Sequence, residues 1–121
     1  DLVATVDLKE ILSAINRVSI FFFFFSKQIR VELSNNLIVL SGEDEESGNE
    51  AREEIACEYD STEFDIGFNF KYLDEAIKNI DSSETTDNLI TISFSEPTKP
   101  ALVRPKNEED NLLMLIMPVR L

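Results

Sequence analysis

The residues of this chain that could take part in covalent chemistry are almost all carboxylates. Its 121 residues include 24 Asp and Glu, no histidine and one cysteine, Cys57. Without histidine, Ser–His and Cys–His nucleophilic pairs and histidine-bearing zinc sites are excluded. A carboxylate enzyme stays open as an alternative, although no pair of acids stands out from the general acidity. We therefore predict a protein that is not an enzyme, with no catalytic residue, cofactor or metal.

Two local features have simple structural interpretations. The acidic segment Glu43–Glu50 lacks the spacing of oxygen ligands found in a calcium loop, so we interpret it as a solvated turn. Cys57 lies on an apparent strand and has no histidine to activate its thiol, so we interpret it as a packed structural residue. A single cysteine, together with the lack of a signal peptide or a long apolar run, indicates a cytoplasmic protein.

The net charge of -13 limits the kinds of partner. Affinity for phosphates comes from Lys and Arg, so the chain cannot grip nucleic acid with its whole surface, and it repels anionic membranes. One open alternative is a stand-alone acidic protein-binding module or nucleic-acid mimic that uses the surface Glu43–Asp65. Such a module would bind a basic partner in a salt-sensitive way.

The end of the sequence suggests recognition instead. An apolar strand, predicted over Asn111–Met117, is stopped by Pro118, which has no amide hydrogen for a sheet ladder. Val119, Arg120 and Leu121 should leave that strand as a short tail. A free tail frays. If it is tied down, Leu121 either plugs the domain's own core or helps to form the wall of an apolar binding groove.

Two helices must position these residues. Asp7 is a suitable N-cap for a helix over Leu8–Val18, and Asn69 is one for a second helix that begins at Phe70. The two segments align without a gap at an offset of 62 residues. This alignment indicates an internal duplication.

Short β-type runs surround each helix in the same succession. The predicted strands are Leu2–Val6, Gln28–Leu33, Asn36–Ser41 and Ala51–Tyr59 in the first half, and Glu63–Phe68, Asn88–Phe94, Ala101–Arg104 and Asn111–Met117 in the second. Connections this short require mostly antiparallel pairing. The predicted fold class is α+β, with a duplicated strand-helix-three-strand unit and two helices on one face of antiparallel sheets.

With this repeat and the ending Met117-Pro-Val-Arg-Leu121, the chain resembles the C-terminal domain of the bacterial DNA polymerase III beta subunit, the sliding clamp. The segments Ile66–Leu73 and Ile29–Leu33 also carry the resemblance, which covers residues 1–121 as one domain. It implies a DNA-clamp fold and a processivity factor in DNA replication. The complete subunit would have three such domains and form a head-to-tail homodimeric ring around duplex DNA, which tethers the polymerase.

The resemblance also implies site residues. One wall of a pocket that docks linear peptides of the polymerase alpha subunit, clamp loader and repair proteins would be formed by Asn69, Tyr72, Thr98, Pro100, Met117, Pro118, Val119, Arg120 and Leu121. For Asn69, simple N-capping is an equally good explanation. The other wall would belong to a domain outside this chain, so we predict feeble peptide binding by the chain alone.

Contacts with DNA and with a second subunit are implied as well. Both helices have balanced charges, which suits loose contacts with a sliding partner. The candidate DNA-facing cations are Lys9, Arg17, Lys71 and Lys78, unless they only balance neighbouring carboxylates. Ile20 and Phe21 occupy dimer-contact positions. A run of five phenylalanines, Phe21–Phe25, begins here, and a helix or a strand would expose some of its rings.

Overall fold

The computed structural model describes residues 1–83, 88–107 and 112–121. These ranges contain two helices and nine strands. Their order is β1 (Leu2–Asp7), α1 (Leu8–Phe24), β2 (Gln28–Ser34), β3 (Leu37–Glu43), β4 (Glu50–Ala56), β5 (Phe64–Asn69), α2 (Phe70–Asp81), β6 (Leu89–Phe94), β7 (Ala101–Pro105), β8 (Met114–Ile116) and β9 (Pro118–Val119).

The strands form two antiparallel sheets. Each repeat contributes its first strand to the sheet of the other repeat. The four-stranded sheet has the order β1-β6-β7-β8, and the five-stranded sheet has the order β4-β3-β2-β5-β9. The first strand of each repeat therefore pairs with a later strand of the other repeat. This arrangement confirms the predicted α+β class with antiparallel sheets. Neither repeat completes a sheet without the other.

The helices start where the sequence predicts. The carboxylate of Asp7 accepts a hydrogen bond from the Glu10 amide at 3.0 Å, and the side chain of Asn69 accepts one from the Lys71 amide at 3.0 Å. Both caps satisfy amide groups that have no partner within the first turn of a helix. The ion pair Lys9–Asp81 joins the start of α1 to the end of α2. The helices therefore lie side by side and run in opposite directions.

The predicted end of α1 at Val18 is wrong, because the helix continues to Phe24. Phe21 and Phe22 follow Val18 at spacings of three and four, and both are buried. They therefore extend the apolar stripe of the helix. A run of identical residues conceals this periodicity in the sequence, since every position in it is equally apolar.

The predicted strand Ala51–Tyr59 also ends early, because β4 stops at Ala56. Beyond it, Glu58 leaves the five-stranded sheet and makes an antiparallel bridge with Thr5 of the other sheet, with N···O distances of 3.0 and 2.8 Å. Tyr59 is buried, and its amide donates to the side chain of Asn36 at 3.0 Å. The chain thus ties the two sheets together at this point.

The last strands differ from the prediction as well. β8 covers Met114–Ile116, and Asn111, the predicted start of that strand, lies outside the described residues. β8 stops before Pro118, but the sheet structure continues beyond it. Residues Pro118 and Val119 form β9, which pairs with Phe68 and Gly67 of β5. The tail therefore crosses from one sheet to the edge of the other, where a proline is tolerated.

Candidate functional site

The tail and its neighbours form an open groove of about 310 Å³. Three pieces of chain build it: the middle of β5, the hairpin between β6 and β7, and the tail itself. The residues that line it are Ile66, Gly67, Pro97, Thr98, Pro118, Val119, Arg120 and Leu121. Most of these side chains are apolar, and the Arg120 guanidinium supplies a positive charge. The composition suits an extended ligand with aliphatic side chains.

The wall formed by the tail is fixed by two contacts with β5. The first is the strand pairing of Val119 with Gly67. The second is the side chain of Leu121, which lies directly over Gly67 while half of its surface stays exposed. A tail that would otherwise fray therefore presents a defined surface.

The groove contains five of the nine residues predicted for it, namely Thr98, Pro118, Val119, Arg120 and Leu121. Asn69, Tyr72, Pro100 and Met117 are not among its lining residues. Asn69 caps α2, whereas Tyr72 and Met117 are exposed, at 51% and 57%. Three further residues line the groove without having been predicted, namely Ile66, Gly67 and Pro97. A glycine within a strand pattern often marks close approach of another segment, and that signal was available for Gly67.

A second, larger cleft of about 650 Å³ lies between the end of α1 and the start of α2. It is lined by Ser19, Ile20, Phe22, Phe23, Phe24, Lys27, Asn69, Phe70, Lys71 and Asp74. Ile20, Phe23 and Phe24 are 69%, 82% and 68% exposed and form an apolar patch beside the cleft. We call these three residues the α1 patch. Such a patch typically marks an interface.

The phenylalanine run divides into buried and exposed rings. Phe21, a predicted dimer-contact residue, is 9% exposed, and its ring meets the edge of Phe22 with centroids 5.1 Å apart. Phe22 is 4% exposed. Phe23 and Phe24 point outward and contact each other edge to face, with centroids 5.0 Å apart. Two rings thus belong to the core, and Ile20 lies with the exposed ones.

Three of the four candidate DNA-facing cations are engaged in ion pairs. Lys9 contacts Asp81 at 2.7 Å, Arg17 contacts Glu53 at 2.7 Å, and Lys78 contacts Asp74 at 2.9 Å. Hydrogen bonding to Glu53 raises the pKa of Arg17. Lys71 makes no ion pair with any residue in the described ranges. Ion pairs of this kind are expected if Lys9, Arg17 and Lys78 mainly balance neighbouring carboxylates.

The acidic segment forms the turn between β3 and β4, with its charged side chains at the surface. The Asp44 carboxylate accepts a hydrogen bond from the Ser47 amide at 3.2 Å, and Gly48 adopts a φ of 74°.

Cys57 is partly buried. Burial of the thiol raises its pKa, and the charge of Glu58 raises it further. A raised pKa opposes formation of the reactive thiolate.

Within the described ranges, neither α1 nor α2 has the length and hydropathy that a bilayer-spanning helix requires.

Comparison with known proteins adds a family to this geometry. Residues 1–120 match the profile of the family described as DNA polymerase III beta subunit, C-terminal domain. The beta sliding clamp of Treponema pallidum is 31% identical over 114 residues, which are 92% of this chain and 29% of that protein. The clamp of Bacillus subtilis is 30% identical over 125 residues, covering 95% of this chain and 29% of the relative.

Solved structures agree with this result. The DNA polymerase sliding clamp of Pseudomonas aeruginosa, crystallised with a ligand, matches all of this chain with a TM-score of 0.84 and 28% identity. The beta subunit of Thermotoga maritima matches 99% of the chain with a TM-score of 0.85 and, at 24% identity, supports the fold alone. The chain spans 31% of the length of each. It therefore corresponds to less than a third of these relatives.

Proposed function

This chain belongs to the family of C-terminal domains of the DNA polymerase III beta subunit, and from that premise we propose that it is one domain of a replication processivity clamp. The complete subunit forms a head-to-tail dimeric ring that encircles duplex DNA in the cytoplasm and tethers the polymerase. It has no enzymatic activity of its own. The observation that carries the proposal is the family match over residues 1–120 together with the duplicated fold.

The charge distribution is compatible with a ring that slides. A clamp holds DNA by enclosing it, so tight phosphate contacts are unnecessary and would slow its movement. Lys9, Arg17 and Lys78 pair with neighbouring carboxylates at distances of 2.7–2.9 Å. Lys71 is then the helical cation best suited to make loose contacts with the DNA backbone.

The groove beside the tail is the docking site that we propose for linear peptides of the polymerase alpha subunit, the clamp loader and other clamp-binding proteins. Aliphatic side chains of the peptide would occupy the space between Thr98, Val119 and Leu121, and Arg120 would orient its polar groups. Three other predicted residues do not line the groove and would contact only a longer peptide, namely Tyr72, Pro100 and Met117. We assign Asn69 to the cap of α2, because its side-chain oxygen accepts a hydrogen bond from the Lys71 amide.

The α1 patch is the contact that we propose with the neighbouring subunit of the ring. Ile20 keeps its predicted role, and the exposed rings of Phe23 and Phe24 extend the contact. Phe21, the other predicted contact residue, is 9% exposed, and its ring packs against Phe22 and Phe25, so its part in the contact would be small. An interface of this kind covers an apolar surface that would otherwise face water.

The groove can be tested with griselimycin, which is bound to sliding clamps of Bartonella birtlesii and Pseudomonas aeruginosa in solved structures. Titration of the ¹⁵N-labelled chain should shift the amide signals of Thr98, Val119 and Leu121 and leave Gly48, in the acidic turn, unchanged. No shift at the tail, or shifts confined to the acidic turn, would overturn the proposal. The second result would favour an acidic binding module.

A comparison with the complete subunit tests whether the groove is half of a site. Calorimetric titration of griselimycin should give a dissociation constant at least about tenfold lower for the complete subunit than for the chain, which corresponds to about 1.4 kcal/mol. Equal dissociation constants would mean that the chain contains the whole site.

A further inference from the structure

We propose that Gly67 is a positioning residue of the groove, because the lack of a side chain there allows Leu121 to lie across β5 and complete the groove wall. Gly67 is buried in the interior of β5 and pairs with Val119. This inference rests on the proposed peptide-docking function only for its effect on ligand binding. The position of Leu121 can be measured without any ligand.

Space, and not backbone conformation, accounts for glycine at this position. Within the described residues, positive φ values occur only at Asn36 and Gly48, so the backbone at Gly67 is compatible with alanine. On conformational grounds alone, alanine would even stabilise the fold by restricting the unfolded chain. The reason for glycine must therefore lie in what surrounds it.

The surroundings of Gly67 belong to the tail. A Cβ atom built on Gly67 would lie 2.8 Å from Cδ2 and 3.1 Å from Cγ of Leu121, and 3.1 Å from the carbonyl oxygen of Val119. These distances are shorter than ordinary van der Waals contact, which is about 3.5–4.0 Å between carbon atoms. The backbone carbonyl of Val119 would have to shift slightly. The side chain of Leu121 would have to move, because its Cδ2 is closer than a Cβ atom can normally approach.

Gly42 offers a matched control in the same sheet. It is also a buried strand glycine, and a Cβ atom there would lie 2.5 Å from Cε1 of Phe22 and 2.9 Å from Cε2 of Phe21. Gly42→Ala therefore introduces the same methyl group and a similar conflict, but against α1 instead of the tail. General destabilisation should accompany both substitutions, whereas loss of the groove wall should accompany only Gly67→Ala.

The first experiment measures the tail in the chain without ligand. We expect nuclear Overhauser effects between the Leu121 methyl groups and Gly67 in the wild type and in Gly42→Ala. In Gly67→Ala the contacts between Leu121 and position 67 should disappear, and the backbone order parameter of Leu121 should fall from about 0.85 towards about 0.6 or less. If the Leu121 methyl groups still contact the introduced alanine, the proposal is wrong.

The second experiment is a double-mutant cycle on griselimycin binding, with Gly67→Ala, Leu121→Ala and the double variant. Each single substitution should weaken binding by a similar factor, about tenfold. The double variant should bind no more weakly than Leu121→Ala alone, because Gly67 acts through Leu121. Independent, additive losses would overturn this. If the wild type does not bind griselimycin, the docking proposal fails, and the methyl contacts still decide the role of Gly67.

Discussion

The rings of Phe22 and Phe70 stack with their centroids 4.7 Å apart and an angle of 11° between their planes. This contact joins the end of α1 to the first turn of α2. Both rings are nearly buried, and Gly42 lies beneath Phe22 without a side chain that would displace it. Phe22 is thus a core residue that holds the helix pair together next to the exposed α1 patch.

Replacing Phe22 should therefore destabilise the fold, whereas replacing its neighbour should not. We expect Phe22→Ala to lower the free energy of unfolding by about 3–5 kcal/mol, the usual cost of a cavity in place of a buried ring. Phe23→Ala, at a position that is 82% exposed, should change it by less than about 0.5 kcal/mol. Urea unfolding followed by circular dichroism measures both. Equal losses for the two variants would contradict the division of the run into buried and exposed rings.

Local signals in the sequence predicted much of this fold. Asp7 and Asn69 are N-caps in the structure, as predicted, because capping depends on only three or four consecutive residues. The succession of strands was also predictable from alternating apolar residues and turns. The exchange of β1 and β5 between the sheets was not, because it depends on contacts between distant segments.

The candidate site was harder to predict, since it depends on where the tail is anchored. β8 stops before Pro118 for the expected reason, but nothing local indicates that Val119 pairs with Gly67. Three lining residues, Ile66, Gly67 and Pro97, were therefore missed. The homopolymeric phenylalanine run likewise carries no periodicity that could separate buried from exposed rings.

The cap of α2 gives a prediction that separates stability from ligand binding. Asn69→Ala should lower the unfolding free energy by about 1 kcal/mol, because the Lys71 amide loses its acceptor. That loss corresponds to a decrease of about 3–5 °C in the melting temperature. Asn69→Asp keeps an acceptor and should melt near the wild-type temperature. Griselimycin affinity should be the same for all three proteins, and weaker binding by both variants would instead indicate a ligand contact.

The thiol of Cys57 should react slowly in the native protein. Burial and the charge of Glu58 raise its pKa, so at any pH below that value the native thiolate fraction is smaller than in the unfolded chain. The native thiol keeps its proton at a pH at which the unfolded thiol already ionises, so the free energy of unfolding falls as the pH rises above the unfolded pKa. Reaction with a disulfide reagent at pH about 8, with and without denaturant, compares the reactivity of the native and unfolded thiols, which depends on thiolate fraction and on access. Glu58→Gln should accelerate the native reaction, and equal native and unfolded rates would contradict the prediction.

The α1 patch gives a prediction about assembly in the complete subunit. Replacing Phe23 and Phe24 together by serine should raise the dimer dissociation constant about tenfold or more, because the contact loses two exposed rings. Sedimentation equilibrium measures this constant. Leu113 and Leu115, which are 52% and 57% exposed, provide a matched control when both are replaced by serine. An unchanged constant in the phenylalanine variant would remove the α1 patch from the interface.

Lys9 and Lys71 provide a test of how the helices meet DNA. They occupy equivalent positions in the two repeats, but Lys9 is paired with Asp81 at 2.7 Å, while Lys71 makes no ion pair in the described ranges. Lys71 should therefore contribute more to DNA contact than Lys9, whose charge is offset by Asp81. In the complete subunit, Lys71→Ala should therefore reduce the slope of log affinity against log salt concentration by about 0.9, the value for one phosphate contact. Lys9→Ala should reduce it by less, because Asp81 already offsets its charge. Equal reductions would show that the ion pair does not withhold Lys9 from the DNA.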